Sequence, residues 1–286
     1  MIPNAFDYQR AGSLDEALRL VGSPGTKVIA GGMSLLPLMK LRLASPEKLV
    51  DIGRIDELRG VRQLPDGRLA VGALTTYSQL LESPARHYGL LRDALPDIGD
   101  VQVRNRGTVG GSIAHCDPAS DLPAVLLALD AEIVARSTRG ERVLPADGFF
   151  VGPFQTALAD DELVTEVRLP GPRDDAGSAY VSMTQRASGY SIVGVAAVVF
   201  KEGGSAITRA NVALTGVGEA PYRARGVEAG LVGNEGTTES IAAAASHATD
   251  GVRVNGDIHA DAEYRAAMAA VYTGRAIRAA LARLGE

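Results

Sequence analysis

Apolar and polar positions over roughly the first fifty residues follow a helical period and a strand period in turn. Ser13 and Glu16 have the spacing of a capping box, which predicts the start of a helix. A β-branched run ends at Gly31 and Gly32, and Ser34 is then in position to cap the next helix. The predicted elements are a helix at 15–20, a strand at 27–30, a helix at 35–43 and a strand at 49–52. This order is typical of a β-α-β unit.

The middle of the chain mixes the same two periods. Thr76 and Gln79 form a second capping pair, and Asn105–Ser112 is predicted as a glycine-rich loop. The predicted elements are strands at 68–73, 132–137 and 163–169 and helices at 76–82, 85–98 and 122–129. The segment Pro170–Gly177, rich in Pro, Gly and Asp, is predicted as a linker.

The last third of the chain carries longer apolar runs. Two of them, 192–201 and 206–215, predict a β-hairpin. After Pro221 the sequence becomes alanine-rich and helical, and it ends in a predicted helix over 261–284. The large apolar residues at helical spacing, which we expect to form the packed face of that helix, are Tyr264, Met268, Val271 and Leu281.

Length and composition narrow the class of protein. At about 150 residues per domain, a chain of 286 residues suggests two domains. The net charge of −5 argues against a nucleic-acid partner, since phosphate binding needs clustered Lys and Arg. The single cysteine, Cys116, excludes an internal disulfide and a self-contained iron–sulfur cluster. With neither a secretory signal nor an apolar run near the ~20 residues of a membrane span, we expect a cytoplasmic protein without an integral membrane segment.

Both Gly-Gly pairs occur where regular structure gives way to a loop or a helix. Glycine there lets a ligand approach the backbone N–H groups, and a helix start adds N–H donors suited to a pyrophosphate. Ser34, Thr108 and Ser112 add hydroxyl groups beside the two pairs. The pattern favours a nucleotide or flavin site, and a plain left-handed turn at each pair stays open as the alternative.

Two other kinds of site are considered and set aside. Asp51 lies about twenty residues after Gly31, as a ribose-binding acid of a Rossmann site would, but the G-x-G-x-x-G spacing is absent. His115 and Cys116 are adjacent, so their side chains diverge, and no metal site is predicted there. The remaining histidines are expected at the surface.

Two long segments match a known family. They are AGGMSLLPLMKLRLASPEKLVDI (30–52) and RGTVGGSIAHCDPASDLPAVLLAL (106–129). These resemble the FAD-binding medium subunits of the molybdenum hydroxylases, the xanthine dehydrogenase family, and within it those of aerobic carbon monoxide dehydrogenases. The likeness extends through 177–199 and 263–277 and covers nearly the whole chain.

The resemblance implies an α+β fold in two domains. Residues 1–175 would form a two-lobed FAD-binding domain of the vanillyl-alcohol-oxidase (PCMH) type, with lobes at about 1–54 and 55–175. Residues 178–286 would form the smaller α+β C-terminal domain found in these flavoproteins.

The resemblance also implies a set of flavin-binding positions. Ala30–Ser34 and Thr108–Ser112 would line the pyrophosphate from two sides, and Asp121 would hold ribityl or ribose hydroxyls, with a helix N-cap as its alternative role. Val164 and Tyr190 would lie near the flavin ring. The full set is Val28, Ile29, Ala30, Gly31, Gly32, Met33, Ser34, Gly107, Thr108, Gly110, Gly111, Ser112, Ala114, His115, Ser120, Asp121, Val164, Thr184 and Tyr190. No catalytic acid–base residue and no metal ligand is expected.

Two positions depart from the family pattern. Met33 replaces the usual Gln or His, which removes a polar side chain beside the pyrophosphate loop. Thr184 stands where many relatives carry a lysine near the flavin's pyrimidine edge. Arg186 has the same strand parity and is a candidate substitute for that cation.

The function implied is that of an oxidoreductase subunit for electron transfer. FAD would be its own cofactor, while molybdopterin belongs to a large partner subunit and two [2Fe–2S] clusters to a small one, assembled as a dimer of heterotrimers. The flavin would pass electrons to an external acceptor, with a peripheral place at the inner membrane face left open. The alternatives are a stand-alone FAD-dependent oxidase and a flavin-free assembly subunit.

Overall fold

The computed structural model describes residues 2–285. The helices are α1 (Leu14–Val21), α2 (Leu35–Lys40), α3 (Tyr77–Leu81), α4 (Gly89–Ala94), α5 (Val101–Arg106), α6 (Val109–His115), α7 (Asp121–Ala128), α8 (Arg225–Leu231), α9 (Thr238–Ala245) and α10 (Ala262–Ala282). The strands are β1 (Asp7–Arg10), β2 (Thr26–Ile29), β3 (Lys48–Asp51), β4 (Val61–Gln63), β5 (Leu69–Gly72), β6 (Glu132–Ser137), β7 (Gly140–Pro145), β8 (Phe150–Gly152), β9 (Gln155–Thr156), β10 (Leu163–Leu169), β11 (Ala176–Thr184), β12 (Ser191–Phe200), β13 (Arg209–Thr215) and β14 (Tyr222–Arg223). Among residues 2–285, no helix combines the length and the apolar character that a membrane span requires.

The N-terminal lobe is a parallel three-stranded sheet in the order β1-β3-β2, which confirms the predicted β-α-β start. Ser13 caps α1 as predicted, although the Glu16 carboxylate accepts from the N–H of Gly12 at 2.8 Å rather than completing the capping box. Helix α2 ends at Lys40, short of the predicted Leu43, because Arg42 has a φ of 59° that no α-helix allows. The expected cap by Ser34 is also wrong, since its side chain makes no capping hydrogen bond.

The second lobe is built on a sheet in the order β4-β5-β10-β6-β7. Every residue of α7 is buried, and this helix packs against β12 and β13 of the last sheet. Thr76 and Gln79 form the predicted capping box at the start of α3. The single helix predicted over 85–98 is wrong. It is divided into α4 and two flanking 3₁₀ turns, each beginning with a proline at its first or second position, Pro84 and Pro96.

The last sheet has the order β11-β12-β13-β14, and the β12–β13 hairpin confirms the prediction. All ten residues of β12 are buried. Alternate side chains explain this burial: Ala196 and Val198 pack into the core of the second lobe, whereas Val195 and Ala197 pack into a separate core with α10. The C-terminal sheet is therefore covered on both faces.

The packed face predicted for the terminal helix is only partly confirmed, since Met268 and Leu281 pack against the core of the C-terminal sheet but the other two residues are exposed. Tyr264 and Val271 are 44% and 40% exposed. The buried positions are mostly small residues, namely Arg265, Ala269, Thr273, Gly274, Ala276, Ile277 and Ala280. Close packing selects them: a Cβ atom at Gly177 of β11 would lie 2.0 Å from the carbonyl oxygen of Ala280, so helix and sheet backbones touch there.

Candidate functional site

The first glycine loop, Ala30–Ser34, connects β2 to α2 and offers a set of free backbone donors. The N–H groups of Gly31, Gly32, Met33 and Ser34 donate to no acceptor among residues 2–285. Gly32 has a φ of 78°, a conformation that favours glycine. Because partly buried N–H groups need partners, four successive free donors fit an anionic ligand such as a pyrophosphate.

The second glycine loop, Gly107–Ser112, is folded differently from the prediction. The loop expected over Asn105–Ser112 is the end of α5 followed directly by the first turn of α6. Its N–H groups are used by the protein: that of Gly110 donates to the carbonyl of Ala73 at 2.8 Å, and that of Gly111 to Oγ1 of Thr108 at 3.2 Å. Gly107, Thr108 and Gly110 are buried, and Gly111 is the exposed glycine of this loop. The loop therefore presents the bare surface of Gly111, not a row of free N–H donors.

The two glycine loops, 75 residues apart in the chain, touch through their backbones. A Cβ atom at Gly31 would lie 1.9 Å from the carbonyl oxygen of Arg106 and 3.3 Å from Cα of Gly107. Glycine is therefore required at position 31 for the loops to meet. The contact places the free N–H groups of the first loop directly beside the second.

Helix α6 leaves one side open next to this contact. Gly111 and Ala114, three residues apart on the helix, are both exposed. A Cβ atom at Gly111 would meet only Oγ1 of Thr108, at 2.7 Å. Space beside Gly111 is thus left unfilled by the chain, which is the cradle that a flavin nucleotide needs.

The other predicted residues of the two loops lie around this cradle. Val28, Ile29 and Ala30 are half-buried as β2 enters the first loop. His115 is half-buried at the end of α6, with its ring 5.1 Å from that of Phe154. Burial lowers the pKa of His115, so its imidazole is neutral at pH 7.

Asp121 opens α7 as a buried carboxylate, only 5% exposed. Ser120 is the N-cap residue of this helix, so the alternative role of Asp121 as the cap is wrong. Ser191 donates to Oδ1 of Asp121 at 2.5 Å, and the hydroxyl of Tyr180 donates to the same oxygen. Burial raises the pKa of Asp121, and these two donors oppose the rise. Ser120 in turn lies 3.0 Å, Oγ to Oγ, from Ser112 of the second glycine loop.

Thr184 and Tyr190 lie at the two ends of a turn that adjoins Asp121. Thr184 pairs with Ser191 across β11 and β12 at a bulge. Tyr190 is 50% exposed and lines a cavity of about 550 Å³ together with Asp117 and Gln185. Arg186 was predicted to lie on the same side of a strand as Thr184. This is wrong, because strand β11 ends at Thr184 and Arg186 lies exposed in the turn that follows.

Val164, predicted to lie near the flavin ring, is buried in the protein core. It is 6% exposed in β10 and belongs to the core of the second lobe. Sequence reasoning missed Tyr180, whose hydroxyl donates to Asp121, and Gly194, whose missing Cβ leaves room for that hydroxyl. Nothing in the alternating pattern of β11 distinguishes Tyr180 from an ordinary core residue.

Among residues 2–285, no cluster of His, Cys, Asp and Glu could hold a metal ion.

Comparison with known families covers both parts of the chain. Residues 4–172 match the FAD binding domain in molybdopterin dehydrogenase, and residues 178–280 match the CO dehydrogenase flavoprotein C-terminal domain. These matches confirm the α+β, FAD-binding fold class expected from the sequence. They also make FAD the cofactor of this subunit.

Curated and solved relatives extend over the same length. The carbon monoxide dehydrogenase medium chain of Hydrogenophaga pseudoflava is 40% identical over 99% of both chains. The 6-hydroxypseudooxynicotine dehydrogenase complex subunit alpha of Paenarthrobacter nicotinovorans is 37% identical over 99% of this chain and 97% of that one. A solved structure of carbon monoxide dehydrogenase from Hydrogenophaga pseudoflava that lacks the Mo-pyranopterin moiety superposes with a TM-score of 0.95 at 41% identity, covering 99% of this chain and 100% of that chain. The chain therefore belongs to the medium, FAD-binding subunits of the carbon monoxide dehydrogenase and molybdenum hydroxylase family.

Proposed function

We propose that this subunit holds one FAD without a covalent bond and uses it to carry electrons from a partner's iron–sulfur clusters to an external acceptor. The observation that carries the proposal is the row of four free N–H groups in the first glycine loop, placed against the glycine backbone of the second. A pyrophosphate supplies the acceptors that these donors lack.

Each part of the site has a distinct task in this proposal. The N–H groups of Gly31–Ser34 bind the pyrophosphate, and the Thr108 hydroxyl adds a donor from the other side. Asp121 accepts from ribityl or ribose hydroxyls, and Tyr190 lies beside the ring system. When bound, the flavin supplies the redox chemistry, while the protein holds and orients it. Thr184 brings no cation to that ring, so the reduced flavin gains no charge stabilisation at this position.

Two partner subunits are part of the proposal. Cys116 is buried, donates to the carbonyl oxygen of Gly152 at 3.4 Å, and has its pKa raised by burial to about 11. A buried thiol without other cysteines holds no cluster. The family resemblance implies two [2Fe–2S] clusters in a small subunit and molybdopterin in a large one, and we assign them so. The assembly proposed is a dimer of heterotrimers, with a quinone or another carrier as acceptor.

The substrate of the complex is assigned to the large subunit. Relatives of this chain at 40% and 37% identity carry the names of enzymes for carbon monoxide and for 6-hydroxypseudooxynicotine. Carbon monoxide is the substrate we propose here. We further propose that the chain divides at the 170–177 linker into domains 1–175 and 178–286, the first with lobes at about 1–54 and 55–175.

Purification from the native source tests the proposal. We expect a yellow chain with about one FAD, which acid releases, and copurification with a molybdenum subunit and an iron–sulfur subunit. A colourless protein that takes up no FAD would refute the flavin site and favour the flavin-free assembly role. A flavin-loaded protein that oxidises a substrate without any partner would instead support the stand-alone oxidase.

A further inference from the structure

The Asp121 carboxylate is held from outside its own domain. Both hydroxyl groups that donate to its Oδ1 come from the C-terminal sheet: Tyr180 lies on β11 and Ser191 on β12. Neither hydroxyl donates to Oδ2. One oxygen is thus fixed by the protein, and the other is left for a ligand.

Gly194 is what allows Tyr180 to reach Asp121. Tyr180 pairs with Ala196 in the β11–β12 ladder, so Gly194 is its diagonal neighbour on the same face. A Cβ atom at Gly194 would lie 2.1 Å from the Tyr180 hydroxyl and 3.0 Å from its Cζ. The ring therefore lies over a bare backbone. The backbone N–H of Tyr180 donates to Asp93 at 3.1 Å, which fixes the strand under the ring.

The surroundings of Asp121 make these two donors matter. The charged or titratable groups that act on it from neighbouring elements are Tyr77, Asp97, Tyr180 and Tyr190. Burial raises the pKa of each of the three tyrosines, so all are neutral phenols near pH 7. The negative charge of Asp97 disfavours ionisation of Asp121 and so raises its pKa further. Among these groups, the Tyr180 hydroxyl is the one that donates a hydrogen bond to the buried anion.

We propose that Tyr180 is a positioning residue, which together with Ser191 and the space above Gly194 orients the Asp121 carboxylate toward the flavin hydroxyls. The C-terminal sheet thereby completes the flavin site of the first domain. This inference rests on the proposed function, because it takes FAD as the ligand of Asp121.

A Tyr180→Phe variant of the full chain tests the proposal by FAD fluorescence titration between pH 5.5 and 8.5. We expect binding about tenfold weaker than wild type at pH 7, equivalent to about 1.4 kcal/mol, as for the loss of one hydrogen bond to a charged group. Loss of this donor raises the pKa of Asp121 further. As the pH is lowered, the carboxylate is therefore protonated earlier in the variant, and FAD affinity should begin to fall at a higher pH than in wild type. Tyr88→Phe is the matched control: it deletes a buried hydroxyl that donates to Pro170 at 2.6 Å, and it should bind FAD as wild type does.

Three further variants keep the test decisive. In an Asp121→Asn background, Tyr180→Phe should lower FAD affinity by less than twofold. The fall in affinity with decreasing pH should also disappear, because no carboxylate remains at position 121. Ser191→Ala removes the second donor and Gly194→Ala displaces the ring, and both should weaken binding in the same pH-dependent way. A wild-type affinity and pH profile in Tyr180→Phe would overturn the inference alone. A wild-type chain that binds no FAD would overturn the proposed function with it.

Discussion

Two adjacent glycines in α6 should respond to the same substitution in opposite ways. A Cβ atom at Gly110 would lie 2.5 Å from Cβ of Ala73 and 2.9 Å from its carbonyl oxygen, inside the packed protein. A Cβ atom at Gly111 would meet only the Thr108 hydroxyl, at 2.7 Å, and otherwise enters the cradle. Gly110→Ala should therefore destabilise the fold, whereas Gly111→Ala should weaken FAD binding.

The magnitudes follow from those contacts. At Gly110 the new methyl overpacks the buried Ala73 just after β5, which costs about 1–3 kcal/mol and lowers the melting temperature by roughly 2–12 °C for a chain of this size. At Gly111 the gain of up to about 1 kcal/mol in helix propensity offsets a similar loss if the Thr108 cap is disturbed. The stability of Gly111→Ala should therefore change little. A methyl group at Gly111 would push the pyrophosphate away from the donors of the first loop, and each hydrogen bond lost in this way is worth about 1.5–3 kcal/mol, a factor of roughly 10–100 in FAD affinity.

Thermal unfolding of the flavin-free proteins, paired with FAD titration of each, measures both effects. Gly111→Val, with its larger side chain, should abolish binding in a chain that still unfolds cooperatively. Full FAD occupancy in Gly111→Val would show that the glycine serves only the turn. A melting temperature lowered equally by both alanine variants would show that the space beside Gly111 is filled by the protein.

Three other predictions follow from the same geometry. Gly31→Ala forces its methyl into the Arg106 carbonyl, so both FAD affinity and melting temperature should fall; retention of either would show that the loops can separate without harm. Acid precipitation should leave all flavin in the supernatant, and yellow colour on the denatured chain would contradict a non-covalent site. In the reconstituted complex, Ala187→Glu on the exposed turn beside Tyr190 should slow flavin reduction by the small subunit in stopped flow, while dithionite reduction is unchanged. Ala282→Glu adds the same charge at the exposed end of α10 and should leave the rate intact; the reverse order would place the docking surface on α10.

Local chemistry was readable from the sequence wherever an element depends on its own residues. The capping pair Thr76–Gln79 forms as predicted because both hydrogen bonds close within four residues. The β12–β13 hairpin follows from two apolar runs and the glycines between them. In both cases the favourable interaction is short-range, so no knowledge of the tertiary fold is needed.

The predictions are wrong for elements whose structure depends on residues far away in the chain. The second glycine loop was predicted as a loop because glycine disfavours helices, yet Thr108 caps α6 and the carbonyl of Ala73 binds the N–H of Gly110. On α10, two of the four large apolar residues predicted to pack are exposed, because the helix and sheet backbones touch at Gly177 and small residues fill most of the interface. The residues that face inward depend on how closely the neighbouring backbone approaches the helix. The hydrophobicity of the helix residues does not indicate that distance.

The glycines of the site are of two kinds: at some a side chain would clash with the protein, and at one it would mainly occupy the space proposed for the ligand. Gly31 is required by the Arg106 carbonyl, Gly110 by Ala73 and Gly194 by the Tyr180 hydroxyl, so each is explained by a protein atom within 2.5 Å of the missing Cβ. Gly111 has no such neighbour: its one close contact is a cap hydroxyl that can rotate. Sequence reasoning treats Gly110 and Gly111 as one pair, because adjacent glycines carry the same composition signal. Since the fold opposes a larger residue at position 111 only through the Thr108 side chain, the ligand is the main reason that we infer for a glycine there.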